Sequence, residues 1–217
     1  MKYGIEKFAV LALAAALAGC ESSGPRNTGV YMLVDTSGTY RNELEKAEQI
    51  VNFTLSRLDA YDSFAIARID TGSFSEKDIV ASVTFEDRPS ATNLQKRDFS
   101  QTAHDFLSGT STSPYTDITG GLLQAVEYLN EKSPRQKRVF IFSDLEEDLE
   151  AGYIRDIPIP LEGIEVIALN VTKLRSDNID PREYLERLDA WRKRVEAEGG
   201  SWRVINDLDN LEQLLNS

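Results

Sequence analysis

Oxygen-bearing side chains alternate along the segment Asp35-Thr36-Ser37-Gly38-Thr39, at Asp35, Ser37 and Thr39. In an extended backbone, side chains two residues apart project to the same side, and Gly38 allows a sharp turn between the last two. Three oxygens can therefore meet at one point, which is the arrangement that binds a hard cation. The pattern also has a simpler explanation, because serine and threonine hydroxyls cap helices and an aspartate can be only solvated.

Two more oxygen-bearing pairs stand at matching places in the chain. Thr116-Asp117 begins the segment 118–132, whose apolar residues recur with helical spacing, and Ser143-Asp144 follows the apolar run 139–142. The carboxyl ends of parallel strands meet at one edge of a sheet, so these residues should lie near Asp35. Oxygen donors without His or Cys select Mg²⁺, Mn²⁺ or Ca²⁺. The sequence therefore predicts a divalent-cation site built from three loops.

Short apolar runs predict the strands that would position these loops. Continuous runs are typical of strands covered on both faces, whereas the alternating run 79–85 predicts a less buried strand at the sheet edge. The predicted strands are 30–34, 64–69, 79–85, 139–142, 166–169 and 202–205.

Helical periodicity predicts a helix in most of the intervals between these strands. The predicted helices are 44–58, 93–107, 118–132, 184–195 and 208–215, and Gly199-Gly200 should end the fourth. This alternation predicts one α/β domain over residues 28–217. Its fold class is a doubly wound, mostly parallel six-stranded sheet with one antiparallel edge strand and helices on both faces.

Three motifs of this chain resemble the von Willebrand factor A domain and its metal ion-dependent adhesion site. They are DTSGT after the first strand, YTDITGGLLQAVEYL at the third predicted helix, and VFIFSD at the strand that precedes Asp144. The resemblance extends over essentially all of residues 28–217. It implies a Rossmann-like fold and a bound cation, Mg²⁺ foremost, with an open position that an acidic side chain of a partner protein or peptide completes.

The resemblance also implies a role for each of five residues. Ser37 and Thr39 would be direct hydroxyl ligands, and Thr116 a third, bound directly or through water. Asp35 and Asp144 would bind mainly through waters. Thr39 stands where the family commonly has a second serine, so the hydroxyl is kept and a methyl is added.

Thr119 is an alternative to Thr116 as the threonine ligand. Thr116 fits the family pattern better, because the family threonine precedes an aspartate and an apolar residue.

The first residues have the pattern of a bacterial secretion signal. Lys2 and Lys7 precede the apolar run 8–17, which is too short to span a hydrocarbon core of about 30 Å. Leu17-Ala18-Gly19-Cys20 resembles the lipobox of bacterial lipoproteins, which implies removal of residues 1–19 and lipidation of Cys20, leaving 20–27 as lipidated linker. The alternative is an ordinary signal peptide whose cysteine is incidental.

This lipobox resemblance places the protein in the bacterial cell envelope, attached to the membrane through its N-terminal lipid. Glu21 after the cysteine implies, by analogy with Gram-negative lipoproteins, sorting to the outer membrane on its periplasmic side.

Composition excludes several classes of function. With 24 Lys and Arg against 36 Asp and Glu, the net charge of -12 disfavours nucleic acid as a partner. One Cys and one His, His104, are too few for an internal disulfide or a structural zinc site. We expect His104 to be exposed or packed without a catalytic role.

Two charged segments are expected to be exposed to solvent. Residues 144–150 contain five acids, and we expect a solvated face there rather than a second calcium site. Arg192, Lys193 and Arg194 alternate with glutamates nearby, which is typical of exposed pairs within a helix.

Two other functions remain open alongside cation-mediated binding. A haloacid dehalogenase-type phosphatase also has an Asp after its first strand and uses Mg²⁺, but its second Asp, the general acid, is replaced here by Ser37. A metal-free scaffold would use the same loop residues as helix caps. We expect a binding domain rather than an enzyme.

Overall fold

The computed structural model describes residues 27–38, 40, 43–172, 174, 180–206 and 208–215. Thr39, Cys20 and Glu21, which carry predictions made from the sequence, lie outside these residues. In the part of the chain that is described, no helix has the length and apolar character needed to cross a membrane.

In the described part of the chain, six strands form one mixed sheet in the order β3-β2-β1-β4-β5-β6. The strand β3 pairs antiparallel with β2 at one edge, and the other neighbours are parallel, which confirms the predicted fold class. The strands are β1 (Thr28–Asp35), β2 (Ser63–Ile69), β3 (Ile79–Thr84), β4 (Gln136–Phe142), β5 (Ile164–Leu169) and β6 (Ser201–Ile205).

Within the described residues, five α-helices cover the two faces of this sheet. The helices α1, α2 and α5 pack on one face with one apolar cluster, and α3 and α4 pack on the other with a second cluster. Burial on both faces explains why the central strands are continuous apolar runs. The helices are α1 (Leu44–Arg57), α2 (Pro89–Gly109), α3 (Ile118–Lys132), α4 (Pro181–Ala197) and α5 (Leu208–Leu215).

Local signals explain where several helices begin and end. The Asp117 carboxylate caps α3 by accepting the N–H of Gly120 at 2.8 Å, and Asp180 caps α4. Pro89 begins α2, since a proline at the first helical position needs no hydrogen-bond partner for its nitrogen. Beyond α4, Gly199 has a φ of 83°, as the predicted left-handed cap requires.

The strand order places a switch point between β1 and β4. The chain leaves β1 towards β2 on one side, whereas β4 continues towards β5 on the other. In the register between β1 and β4, Val34 lies opposite Phe142. Asp35 and Ser143 therefore leave the sheet side by side, at the edge where open α/β sheets bind ligands.

Candidate metal centre

Asp35 ends β1 and lies fully buried, with 0% of its surface exposed. One carboxylate oxygen accepts the backbone N–H of Ser37 at 2.8 Å, and the other accepts the Ser143 hydroxyl at 2.7 Å. Burial raises the pKa of Asp35, although these two hydrogen bonds oppose the shift. The carboxylate thus connects the loop that follows β1 to the residue that follows β4 through hydrogen bonds.

Three of the predicted ligands line one open cleft of about 670 Å³ beside Asp35. They come from three separate loops of the chain: Ser37, Thr116 and Asp144. The other residues of the wall are Gly38, Ser113, Pro114, Glu146, Glu147 and Asp148. The structure thus places these three residues on the wall of one cleft, while Thr39 falls outside the described residues and its role stays a prediction.

Asp144 is a second buried carboxylate at this cleft, with 3% of its surface exposed. Burial, together with the nearby charge of Asp35, raises the pKa of Asp144 to about 6, against the effect of a hydrogen bond from the Glu146 N–H. Two acidic groups therefore share a poorly solvated site. A positive charge between them would favour the ionised form of both.

Backbone hydrogen bonds fix Thr116 at the cleft. Its N–H donates to the Asp148 carbonyl at 2.7 Å, and the Asp148 N–H donates back to the Thr116 carbonyl at 3.0 Å. Thr119, the alternative ligand, instead accepts a 2.8 Å hydrogen bond from Arg194 through its hydroxyl. Of the two threonines, Thr116 is therefore the one that lines the cleft.

The acidic segment 144–150 is not the simple solvated face expected from the sequence. Asp144 is buried, and Glu147 is half-buried and accepts the Thr119 N–H at 2.7 Å. Glu146 and Asp148 are exposed at the rim of the cleft. The segment differs from the expectation because backbone pairing with Thr116 draws it onto the start of α3.

The donor set fits a hard divalent cation. Two hydroxyls, from Ser37 and Thr116, and two buried carboxylates, from Asp35 and Asp144, would supply only oxygen atoms to a cation. Among the described residues, no group of three or more His, Cys, Asp or Glu side chains is placed to hold a metal. A cation in this cleft would therefore depend on the hydroxyls.

Ser113 holds the loop that follows β1 in place, a role that the sequence analysis did not predict. Its N–H donates to the Thr36 carbonyl at 3.0 Å, and its hydroxyl lies within hydrogen-bond distance of two acceptors, the Asp70 carboxylate and the Tyr115 carbonyl. The loop that precedes α3 thereby pairs with the loop that follows β1. The only signal in the sequence is the short polar run 108–113, which carries no periodicity.

The sequence predicts that Arg194 pairs within its helix, and the structure shows this prediction to be wrong. Arg192 and Lys193 do pair with Asp189 on the exposed side of α4. Arg194 instead turns inward, donating to Thr119 and, at 3.1 Å, to the Arg155 carbonyl. This contact joins segments far apart in the sequence, so local charge patterning could not reveal it.

Solved structures of the same fold come from bacterial proteins. The pilus adhesin SpaC of Lactobacillus rhamnosus GG, in an open conformation, aligns with 88% of this chain and 29% of its own length, at 15% identity and a TM-score of 0.57. A von Willebrand factor type A protein of Catenulispora acidiphila aligns with 88% of this chain and 41% of its own, at 15% identity and a TM-score of 0.50.

A third structure is the PilB minor pilin of Streptococcus sanguinis. It aligns with 89% of this chain and 60% of its own length, at 10% identity and a TM-score of 0.50. This chain thus spans less than two thirds of all three structures. No model of a protein family and no curated protein sequence matches it. The strand order, the flanking helices and these likenesses together show that the chain has the von Willebrand factor A fold.

Proposed function

We propose that this protein is an adhesion-type binding domain that holds a divalent cation and, through it, an acidic group of a partner protein or peptide. The observation that carries the proposal is the meeting of Ser37, Thr116 and Asp144, from three separate loops, in one cleft beside the buried Asp35. Thr39 completes the proposed ligand set. Mg²⁺ is the first candidate, with Mn²⁺ and Ca²⁺ as alternatives.

The proposed ligands include both neutral and charged groups, which have different roles in cation binding. The hydroxyls of Ser37 and Thr116 supply lone pairs without adding negative charge, whereas Asp35 and Asp144 balance the charge of the cation. When bound, the cation supplies a positive field and an open coordination position for a carboxylate of the partner. The cleft is open to solvent, so an extended side chain could reach that position.

The same proposal includes attachment to the bacterial cell envelope through a lipid on Cys20. The linker 21–27, fully extended, reaches about 25 Å. β1 begins at Thr28, next to this linker, and the cleft lies beyond its other end at Asp35. The cleft would therefore face away from the lipid surface and towards partners in the envelope.

Cation binding is tested by calorimetric titration of the purified protein with Mg²⁺, Mn²⁺ and Ca²⁺ after treatment with EDTA. We expect binding to be lost in Asp35→Asn. The matched control is Asp62→Asn, because Asp62 is also a buried carboxylate with a raised pKa. It lies just before β2, at the amino ends of the parallel strands, whereas the cleft lies at their carboxyl ends. Absence of binding for all three cations, or equal binding in both variants, would contradict the proposal.

Partner binding is tested by affinity capture from solubilised bacterial envelope, with and without EDTA. We expect a captured protein to be released by EDTA and not to be captured by Asp35→Asn. Capture unchanged by both treatments would favour recognition by a metal-free surface. Hydrolysis of a generic phosphomonoester that disappears in Asp35→Asn would favour a phosphatase instead.

A further inference from the structure

Leu145, the residue after Asp144, has a left-handed backbone conformation, with a φ of 65°. A leucine adopts this conformation only where surrounding contacts hold it, because its Cβ is then crowded against its own backbone. Its side chain is buried in the apolar cluster below α3 and α4. The turn that follows Asp144 is therefore held in place by its neighbours.

Hydrogen bonds fix this turn on both sides of Leu145. Its N–H donates to the Ser143 hydroxyl oxygen at 3.0 Å, and that hydroxyl in turn donates to Asp35. Its carbonyl accepts the indole N–H of Trp191 at 3.0 Å, in a buried contact. A continuous path of hydrogen bonds thus runs from the Asp35 carboxylate through the turn to α4.

The inner face of α4 supplies two further contacts to the loops of the cleft. Arg187, one helical turn before Trp191, donates to the carbonyl of Asp144 at 2.9 Å. Arg194, on the following turn, donates to the Thr119 hydroxyl. Residues at this spacing share one helix face, so α4 contacts both the Asp144 loop and the start of α3.

We propose that Trp191 is a positioning residue for the cation site: its indole N–H holds the left-handed turn at Leu145 and so directs the Asp144 carboxylate into the cleft. This inference rests on the proposed function, since it assigns Trp191 a role in cation affinity. Without the indole donor, the Leu145 carbonyl is left buried and unpaired, and the turn loses a contact that opposes its strain. Asp144 would then sample orientations away from the cleft.

The chain offers a matched control, because it contains two tryptophans, Trp191 and Trp202. Trp202 lies on β6 and packs against the same apolar cluster as Trp191. Trp191→Phe and Trp202→Phe make the same chemical change, at a buried and a half-buried position of this cluster, but only the first removes the donor to Leu145. The test compares Mg²⁺ affinity by calorimetry and urea unfolding in EDTA for the wild-type protein and both variants.

We expect Trp191→Phe to weaken Mg²⁺ binding roughly fivefold to tenfold, the effect of losing about one buried hydrogen bond. Trp202→Phe should bind Mg²⁺ as the wild-type protein does. Unfolding in EDTA separates this effect from a general loss of stability. Equal weakening in both variants, or none in Trp191→Phe, would overturn the inference.

A second measurement does not depend on the Trp191 variant. In Trp202→Phe, the single remaining indole N–H signal in a ¹H–¹⁵N spectrum belongs to Trp191. We expect this signal to be protected from hydrogen exchange in EDTA and to shift when Mg²⁺ is added. A rapidly exchanging signal that Mg²⁺ leaves unchanged would overturn the inference.

The failure of this inference is distinct from failure of the proposed function. If the wild-type protein binds Mg²⁺ and Trp191→Phe binds it equally well, the role of Trp191 is wrong and the cation site stands. If the wild-type protein binds no Mg²⁺, Mn²⁺ or Ca²⁺, the cation site is wrong, and the role of Trp191 is wrong with it.

Discussion

The Asp117 carboxylate forms a bidentate ion pair with the Arg155 guanidinium at the start of α3. Arg155 Nε lies 3.0 Å from both carboxylate oxygens, and its Nη2 lies 2.6 Å from Oδ2. The Asp117 side chain is 1% exposed, and it also accepts the N–H groups of Ser73 and Gly120. One carboxylate therefore joins three segments next to Thr116.

Removal of this arginine should destabilise the fold strongly. Arg155→Ala leaves the buried Asp117 charge without its partner, and we expect the free energy of unfolding to fall by about 3 kcal/mol. Arg182→Ala is the matched control, because its pair with Asp180 is exposed to solvent and should contribute little to stability. Urea unfolding measures both. Equal effects would show that Asp117 does not depend on Arg155.

Gly120 should not tolerate a side chain, because a Cβ there would lie 2.4 Å from the Asp117 carboxylate. Although alanine favours a helix more than glycine does, we expect Gly120→Ala to lower the free energy of unfolding by about 1–3 kcal/mol. In Gly109→Ala, at the end of α2, a Cβ meets no atom within 4 Å. That control should leave stability unchanged or raise it by up to about 1 kcal/mol, and stabilisation by both substitutions would contradict the packing at Asp117.

In the metal-free protein, the free energy of unfolding should depend on pH in a way that reflects the burial of Asp144. Its pKa is raised from 3.8 to about 6, so the fold is stabilised most when Asp144 is protonated. This contribution is complete below the pKa of the unfolded chain and is lost as the pH rises through about 6. Asp144 should therefore cost about 1 kcal/mol of stability between pH 5 and pH 7.

Urea unfolding in EDTA at the two pH values measures this cost, as the difference between the wild-type protein and Asp144→Asn. Saturating Mg²⁺ should remove the difference at pH 7, because the cation favours the ionised carboxylate. An identical pH dependence in both proteins would show that Asp144 titrates as an exposed group.

The two threonines near the start of α3 should separate cation binding from stability. Thr116→Ala removes a hydroxyl from the cleft, and we expect Mg²⁺ affinity to fall at least about tenfold, since even groups outside the ligand shell have effects of that size. Thr119→Ala removes the hydrogen bond from Arg194 and should instead lower stability by about 1 kcal/mol. Calorimetry and urea unfolding distinguish the two, and the reverse pattern would make Thr119 the ligand.

Lipid attachment at Cys20 predicts the membrane fraction of the protein. In a bacterial host, Cys20→Ser should move the protein from the sedimented membranes to the soluble fraction, because under the proposal a multiply acylated cysteine would provide the durable anchor. Immunoblotting of fractionated cells measures the distribution. A Cys20→Ser protein that still sediments with membranes would show that another segment holds it there.

Local sequence signals predicted most of the elements, because each has its own period or cap. The helix 118–132 was predicted with the observed bounds, since Asp117 supplies the cap and an apolar stripe follows. The helix predicted at 93–107 is longer in the structure, from Pro89 to Gly109, because its exposed first and last turns lack apolar residues at regular spacing. The sheet topology follows from the alternation of elements and the handedness of crossovers.

The positions of the candidate site residues were predictable only where the topology alone fixes them. Asp35, Thr116 and Asp144 follow or precede elements whose ends meet at one sheet edge. The contacts of Trp191 and Arg194 with that edge depend on how α4 is rotated and how far it lies along the sheet. Neither the rotation of α4 nor its position along the sheet follows from the helical period. The sequence therefore could not show that Trp191 and Arg194 contact the loops of the cleft.

β1 lies at the centre of the sheet, hydrogen-bonded to β2 along one side and to β4 along the other. A mechanical pull between a lipid anchor before Thr28 and a partner held beyond Asp35 would run along the axis of this strand. Such a load would strain the β1–β2 and β1–β4 hydrogen bonds all at once instead of opening them one after another. Under the proposed anchoring, tension would therefore be carried by a strand that is hydrogen-bonded on both sides.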